Sequence, residues 1–310
     1  MRVPRGGLLL ALLVLGLPLA APEAAAEPVP VQVGVYLLNF GNFDVTKGTY
    51  VMDYYLWFKW QPAAGPDNFT PERFELMNGR PTSKERLFDF VNPDGTRELW
   101  FRLQANLYTD PDFHQYPFDR QRLILLLEDA VLPVTNLTYV RPEFQLDPAL
   151  KVAGYRLEEA SVAVTDTEYP FGETYSRASF ELDVRREVLG TGVKTLLPPM
   201  VFMIVSGLGF LFGPDKLGLR VGAGTSMLIS AVMFHIAQTS ALPPLGTLTL
   251  IDKIMLATYA FLASSLTVTA LVSVNTDYWK KEGLTQRINR QGLVATVAAP
   301  LVVFALLWLV

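Results

Sequence analysis

Arg220–Leu242 reads RVGAGTSMLISAVMFHIAQTSAL and runs directly into Pro243 and Pro244. It lies within an uncharged run, 221–251, longer than the ~20 helical residues that cross the hydrocarbon core of a bilayer. Its composition is unusual for a helix facing lipid, because Gly222, Gly224, Thr225, Ser226, Ser230, His235, Gln238, Thr239 and Ser240 are spread through it. Polar groups at membrane depth are costly unless they face protein or water. Taken in steps of four and three, one line passes through Gly222, Ser226, Ile229, Met233, Ile236 and Ser240. It is small or polar at both ends and apolar in the middle. That suits a helix lining a water-filled passage whose constriction closes by dewetting. It equally suits a helix whose small residues pack against sister helices. The stretch alone leaves both readings open.

Three further uncharged runs occupy 195–214, 254–276 and 291–310. The pattern predicts four membrane helices, at 195–213, 219–242, 252–275 and 291–310. Pro198 and Pro199 fall near the start of the first, where a missing N–H is tolerated. The third link, 275–290, carries Lys280, Lys281, Arg287 and Arg290 against Asp277 and Glu282. That basic excess places it in the cytoplasm, and four crossings then put residues 27–194 outside. Residues 1–26 read as a secretory signal, with Arg2 and Arg5, a short apolar run and a small-residue end at Ala24, Ala25 and Ala26. Two independent patterns predict one topology.

The outer half is acidic, with 25 acidic and 17 basic residues in 27–195, whereas 196–310 holds 4 and 7. An acidic surface argues against nucleic acid as a partner. Cysteine is absent, and the histidines are His114 and His235, so disulfides, thiolate metal sites and most His-based catalysis are excluded. Strand composition at Val31–Leu37, Thr49–Trp60, Leu99–Leu107 and Arg122–Leu127, with a hairpin of Tyr155–Thr165 and Ser176–Val188 around the aromatic loop Asp166–Tyr175, predicts a β-sandwich. The first turn is expected at 39–48, and Val162, Val164, Phe180, Leu182 and Val184 point inward. No helical period appears before 195.

Between two of these strands lies Asp112-Phe113-His114-Gln115-Tyr116-Pro117-Phe118-Asp119. Taken alone it is a capped turn with two aromatic anchors and an acid. In this setting it resembles the signature loop of the pentameric ligand-gated ion channels, the Cys-loop receptor superfamily. The bracketing cysteines of animal members would match Thr109 and Leu123, and their absence resembles the prokaryotic branch. Arg220-Val221-Gly222-x-Gly224-Thr225-Ser226 is similar to the cytoplasmic half of the pore helix of glycine-type receptors. Leu242-Pro243 is similar to the start of the following loop.

The resemblance spans essentially the whole mature chain. It implies an all-β extracellular sandwich plus a four-helix transmembrane bundle, in a homopentamer whose second helix lines a central pore. Gly222, Ser226, Ile229, Met233, Ile236 and Ser240 would line that pore, and Gly218, Leu219 and Arg220 would set selectivity at its inner mouth. A small-molecule or proton agonist would bind between extracellular domains. Tyr169, Phe171 and Tyr175 would cap the site from one subunit, with Tyr55 or Trp57 facing it from the next. Such aromatics suit cationic amines, and they equally suit packing of the sandwich. Coupling to the pore would run through Tyr116, Pro117, Phe118 and Asp119 of the loop, with Asp119 and Asp44 meeting Arg186 (or Arg185, one residue earlier) above Pro243 and Pro244. Cation-selective relatives usually carry a Glu where this chain has Gly218 or Leu219, so permeation of anions, or poor selectivity, is the expectation. The partners implied are four identical subunits, inorganic ions and membrane lipids. The location implied is a bacterial inner membrane with the N-terminal domain periplasmic.

Two competing readings remain. A tethered receptor without conduction would have no use for Ser226 and Ser240 on one face of a helix. A membrane-bound hydrolase lacks a nucleophile elbow, a Ser with a His partner or an HExxH pattern. Glu128-Asp129 and Glu158-Glu159 read as solvated pairs, since neighbours on a strand point to opposite faces. His235 reads as a hydrogen-bonding group between helices. A second reading is proton sensing, because histidine is the side chain that changes charge near neutral pH. No cofactor is called for.

Overall fold

Alternation of apolar and polar residues builds the N-terminal half. In the computed structural model, which describes residues 27–62, 71–240 and 242–308, β1 (Val29–Asp44) buries Val31, Val33, Val35 and Leu37. Opposite it, β2 (Thr49–Trp60) buries Tyr54, Leu56 and Phe58, the period-two signature of a sheet with one face inward. The remaining strands are β3 (Phe74–Leu76), β4 (Gly79–Val91), β5 (Arg97–Tyr108), β6 (Arg120–Asp129), β7 (Leu137–Leu146), β8 (Tyr155–Glu168) and β9 (Thr174–Arg186). They form a five-stranded sheet, β4-β5-β2-β1-β7, and a four-stranded sheet, β3-β6-β9-β8. The two pack through one core that includes Leu103, Leu123, Leu125, Phe180 and Leu182. The signal segment expected at 1–26 lies outside the described residues.

The departures from expectation have local causes. The first turn is 45–48, not 39–48, because Phe40 is buried and keeps the chain on the sheet as far as Asp44. The ladder absorbs Leu38, Asn42 and Phe43 as irregularities, and Asn42 takes a positive φ of 51° that asparagine tolerates. β4 and β7 escape periodicity because each is an edge. β4 is exposed along nearly its whole length, and β7 carries Pro142, which only an edge strand accommodates.

Four helices follow: α1 (Val188–Leu208), α2 (Leu217–Thr239), α3 (Leu250–Val274) and α4 (Leu284–Trp308). All four are long and apolar enough to cross a membrane, and the chain is an integral membrane protein. α1 and α4 begin seven residues before the uncharged runs, since Lys194, Arg287 and Arg290 are good helix formers whose charge ends a hydrophobic run but not a helix. Val188 therefore belongs to a helix and not to the last strand. α3 is the hub, touching the other three, while α1 and α4 both lean on it and leave a groove between them.

On the outward face of the five-stranded sheet, Gly34, Trp57 and Trp100 are direct cross-strand neighbours. The two indoles stack at 4.8 Å and 14°, and a Cβ on Gly34 would lie 2.0 Å from Trp57 Cζ2. Trp57 lies flat because position 34 has no side chain. Gly34→Ala is expected to lift the indole and cost about 1–3 kcal/mol, read as a lower thermal midpoint with an altered tryptophan emission. Unchanged emission would show that the indole is held elsewhere.

Candidate functional site

In a single subunit the line foreseen on α2 is the face that no other helix covers. Gly222, Ser226 and Ser240 are exposed, and Ile229, Met233 and Ile236 remain 65, 62 and 57% exposed. The opposite face carries Gly224 against Leu266 of α3, together with buried Ala231. Gly218 and Leu219 extend the exposed side toward the N-terminal end of α2. Arg220 does not. Two residues from Gly222 is about 200° of helix, and its side chain is turned into the subunit, 4% exposed, with its guanidinium 5.1 Å from the Phe210 ring. The expectation that Arg220 lines the inner mouth is corrected accordingly.

The β8–β9 hairpin closes over a cavity of about 270 Å³ lined by Glu75, Glu128, Asp129, Tyr169, Phe171 and Tyr175. Tyr169 and Phe171 stack at 5.2 Å, and Tyr175 stands edge-on to Tyr169 at 5.8 Å. Tyr169 donates to Glu128 Oε2 at 2.9 Å, and Arg177 donates to Glu128 Oε1 at 2.5 Å and to the Tyr169 oxygen at 3.0 Å. The three foreseen aromatics are therefore brought together. Burial, then the bond to Glu128, raises the Tyr169 phenol above its ordinary pKa. The bond to Glu173 pushes Tyr175 up to about 12.

The reading of Glu128 and Asp129 as solvated is overturned, since they are 2 and 3% exposed. Asp129 ends β6, and its Oδ1 accepts the N–H groups of Val131 and Leu132, a local role that strand alternation does not foresee. Burial still raises its carboxyl above the usual range. Tyr55 and Trp57 lie on the other sheet and do not line this cavity.

At the junction, Arg186 is the arginine that meets Asp119, with Nε–Oδ1 at 2.8 Å and Nη2–Oδ2 at 3.4 Å. Asp119 is fully buried and also accepts from Gln121 Nε2 at 2.7 Å. The Arg186 guanidinium lies 5.3 Å from the ring of Tyr116 and 4.9 Å from that of Tyr155. Arg185 turns to Glu158 at 3.8 Å. Asp44 does not reach Arg186. It closes its own turn on Lys47, at 3.1 Å, because four residues separate it from the next strand and the nearest cation is local.

Below the pair, the signature loop enters the membrane domain. Pro117 is buried, Phe118 lies beneath Gly192 of α1, and the Tyr116 ring packs against the cluster of Ala231, Ile251, Met255, Phe261 and Leu262. The backbone hydrogen bonds of this contact run to α3, the Tyr116 hydroxyl donates to Gln238 O of α2 at 3.5 Å, and among the described residues none involves Pro243 or Pro244. The first four N–H groups of a helix have no partner within it. Here Leu250 N donates to His114 O and Ile251 N to Tyr116 O, both at 3.1 Å. Thr249 N donates to Asp252 Oδ2 and Asp252 N to Thr249 Oγ1, a capping box. Asp252 Oδ1 takes His235 Nε2 at 2.8 Å, and His235 Nδ1 lies 3.1 Å from the Tyr259 hydroxyl. His235 is thus a tie from α2 to α3, next to Ile236 of the exposed line. Asp252 was missed, although Thr249-x-x-Asp252 before an apolar run is the sequence signature of this cap.

Leaving one charge of a buried pair alone costs about 3–5 kcal/mol. Arg186→Ala is expected to lower the thermal midpoint of the solubilised protein more than Arg185→Ala does. Equal effects would remove the distinction drawn between them.

No family model matches the chain. It is 22% identical over 259 residues to a proton-gated ion channel of Gloeobacter violaceus, covering 77% of this chain and 72% of that protein. To pH-sensitive chloride channel 2 of Anopheles gambiae it is 23% identical over 231 residues, covering 71% and 37%. To the human gamma-aminobutyric acid receptor subunit rho-3 it is 20% identical over 307 residues, covering 89% and 66%. The chain therefore spans less than two thirds of the length of these two animal relatives, and none of the three is an enzyme by name.

Proposed function

We propose that this chain, a relative of the pentameric ligand-gated ion channels, forms a homopentamer that conducts small inorganic ions through a pore lined by α2. The observation that carries the reading is the uncovered α2 face. Its polar ends would be costly against lipid, and its three apolar residues stand where five copies would make a closable constriction. The assignment of 27–194 to an extracellular, periplasmic domain of a bacterial inner-membrane protein, and of 195–310 to the membrane domain, rests on the basic 275–290 link and the signal-like start.

An agonist, a small molecule or a proton, would act at the extracellular domains, with the hairpin cavity as one half of the site and Tyr55 and Trp57 of a neighbouring subunit as the other. Movement there would reach α2 through the signature loop, the α3 cap and His235. Permeation of anions, or weak selectivity, is supported by the lack of an acid at Gly218 and Leu219 and by relatives named as chloride channels. With Arg220 turned inward, that reading rests on the missing acids and not on a ring of arginines.

Currents from the purified protein in a bilayer under a salt gradient test this, with external pH stepped and then amines added. A reversal potential that follows chloride is expected. One that follows sodium or potassium would keep the channel and refute the selectivity. Silence across all conditions, with protein shown to be inserted, would favour a tethered receptor. Ile229→Ser, which wets the constriction, is expected to raise the unstimulated current, and an unchanged baseline would place the gate elsewhere.

A further inference from the structure

We infer that the Gln121 carboxamide is the clasp of the signature loop, a positioning residue that closes the loop on Asp112. By closing it, Gln121 aims Asp119 at Arg186 and two loop carbonyls at α3. This assignment holds whether or not the chain conducts.

The core line of β6 runs through Gln121, Leu123, Leu125 and Leu127, all buried. Strand periodicity asks for an apolar residue at its first position, and the chain places there a carboxamide that is 2% exposed. A buried amide is costly unless each of its polar groups has a partner. Gln121 Oε1 accepts the Asp112 N–H at 3.1 Å, and Nε2 donates to Asp112 O at 2.8 Å and to Asp119 Oδ2 at 2.7 Å. Both N–H groups and the oxygen are thus used. Only one orientation of the amide fits, since the Asp112 N–H only donates while the Asp112 carbonyl and the Asp119 carboxylate only accept.

Asp112 and Gln121 stand at the two ends of the loop, and the chain has no cysteine to join them. The side chain of Gln121 meets the main chain of Asp112 through one donor and one acceptor, as a neighbouring strand would. Thr109 Oγ1 on Arg122 O, at 2.6 Å, is a second tie but an exposed one. Between the closed ends lie the acceptors that the rest of the molecule uses. Asp119 offers Oδ1 to Arg186 Nε at 2.8 Å while Gln121 holds Oδ2, so one carboxylate is gripped from two sides. His114 O and Tyr116 O receive Leu250 N and Ile251 N. Release at Asp112 lets the ends of this segment separate, and the carbonyls lose their aim although nothing in α3 has changed. A leucine at position 121 would fill the core line and hold none of these groups.

Hydrogen–deuterium exchange of the detergent-solubilised full chain, read on peptides that cover 109–122 and 246–254, tests the clasp. Gln121→Met keeps the volume and removes all three hydrogen bonds. It is expected to speed exchange at Asp112, Leu250 and Ile251 about tenfold, the scale of a hydrogen bond to a charged group. Leu123→Ala, which opens a cavity on the same core line, is the control. It is expected to lower the thermal midpoint and to leave exchange at Leu250 and Ile251 as in wild type. Gln121→Glu keeps the shape and loses the donors. The charged groups about it are Asp119 and Arg186, with His114 paired to Asp112 beyond. A buried carboxyl beside Asp119 titrates above its usual range, so below neutral pH it regains a proton and with it a donor. With wild type measured at each pH and intrinsic rates removed, its excess exchange at Leu250 and Ile251 is expected to be large near pH 7 and to shrink toward pH 5. Unchanged exchange at these amides in Gln121→Met would overturn the inference, as would an equal rise in Leu123→Ala. If Gln121→Met does not fold, the pH response of Gln121→Glu decides alone, and excess exchange that ignores pH refutes the clasp. No readout uses a current, so the failure of the channel reading leaves the result intact.

Discussion

The ion pair of Asp119 and Arg186 holds the two halves of the molecule in register. A carboxylate with no solvent exposure is costly unless its oxygens are occupied, and here Arg186 and Gln121 occupy them. Arg186 stands at the last residue of β9, one residue before the α1 N-cap at Glu187, and Asp119 stands just before β6. The pair therefore fixes where the sandwich ends and the membrane helix begins. It also sets the height of the signature loop, whose Tyr116 lies under the guanidinium and on the α2–α3 cluster at once. A buried pair of this kind is poor evidence for stability but well suited to specifying one arrangement among several. The neighbouring Arg185, one residue away and facing Glu158 at 3.8 Å, shows how narrow that specification is.

Much of this arrangement was legible in the sequence, and for physical reasons. Membrane helices announce themselves because charge is excluded from them, and the exposed α2 line follows from helical periodicity alone. The sandwich follows from alternation wherever a strand has one face in the core. Legibility failed where burial depends on a distant segment. β4 and β7 are edges with little core of their own. Glu128 and Asp129 look solvated until the β8–β9 hairpin, some forty residues later, folds over them with Arg177. The inward turn of Arg220 required only the angle between residues 220 and 222, which a reading by resemblance passes over.

The routes between sites were less legible still. Asp252 and His235 are separated by a proline-interrupted loop, and only the folded chain shows that one carboxylate serves both the cap of α3 and the tie to α2. Trp57 illustrates a related limit. Strand alternation places it on the outward face, but its low exposure comes from Gly34 and Trp100 on two other strands. It is thus at once an outward residue and a packed one, which composition cannot distinguish.

The α3 cap carries a consequence for how the chain is made. Two of the four orphan donors at the start of α3 are satisfied within the helix, and the other two only by carbonyls of a loop that belongs to the sandwich. Unpaired amides are poorly tolerated where water is scarce. The cap of α3 is therefore complete only when the sandwich presents the carbonyls of His114 and Tyr116. Since the sandwich lies N-terminal to the helices, the carbonyls that α3 needs belong to the part of the chain that is synthesised first.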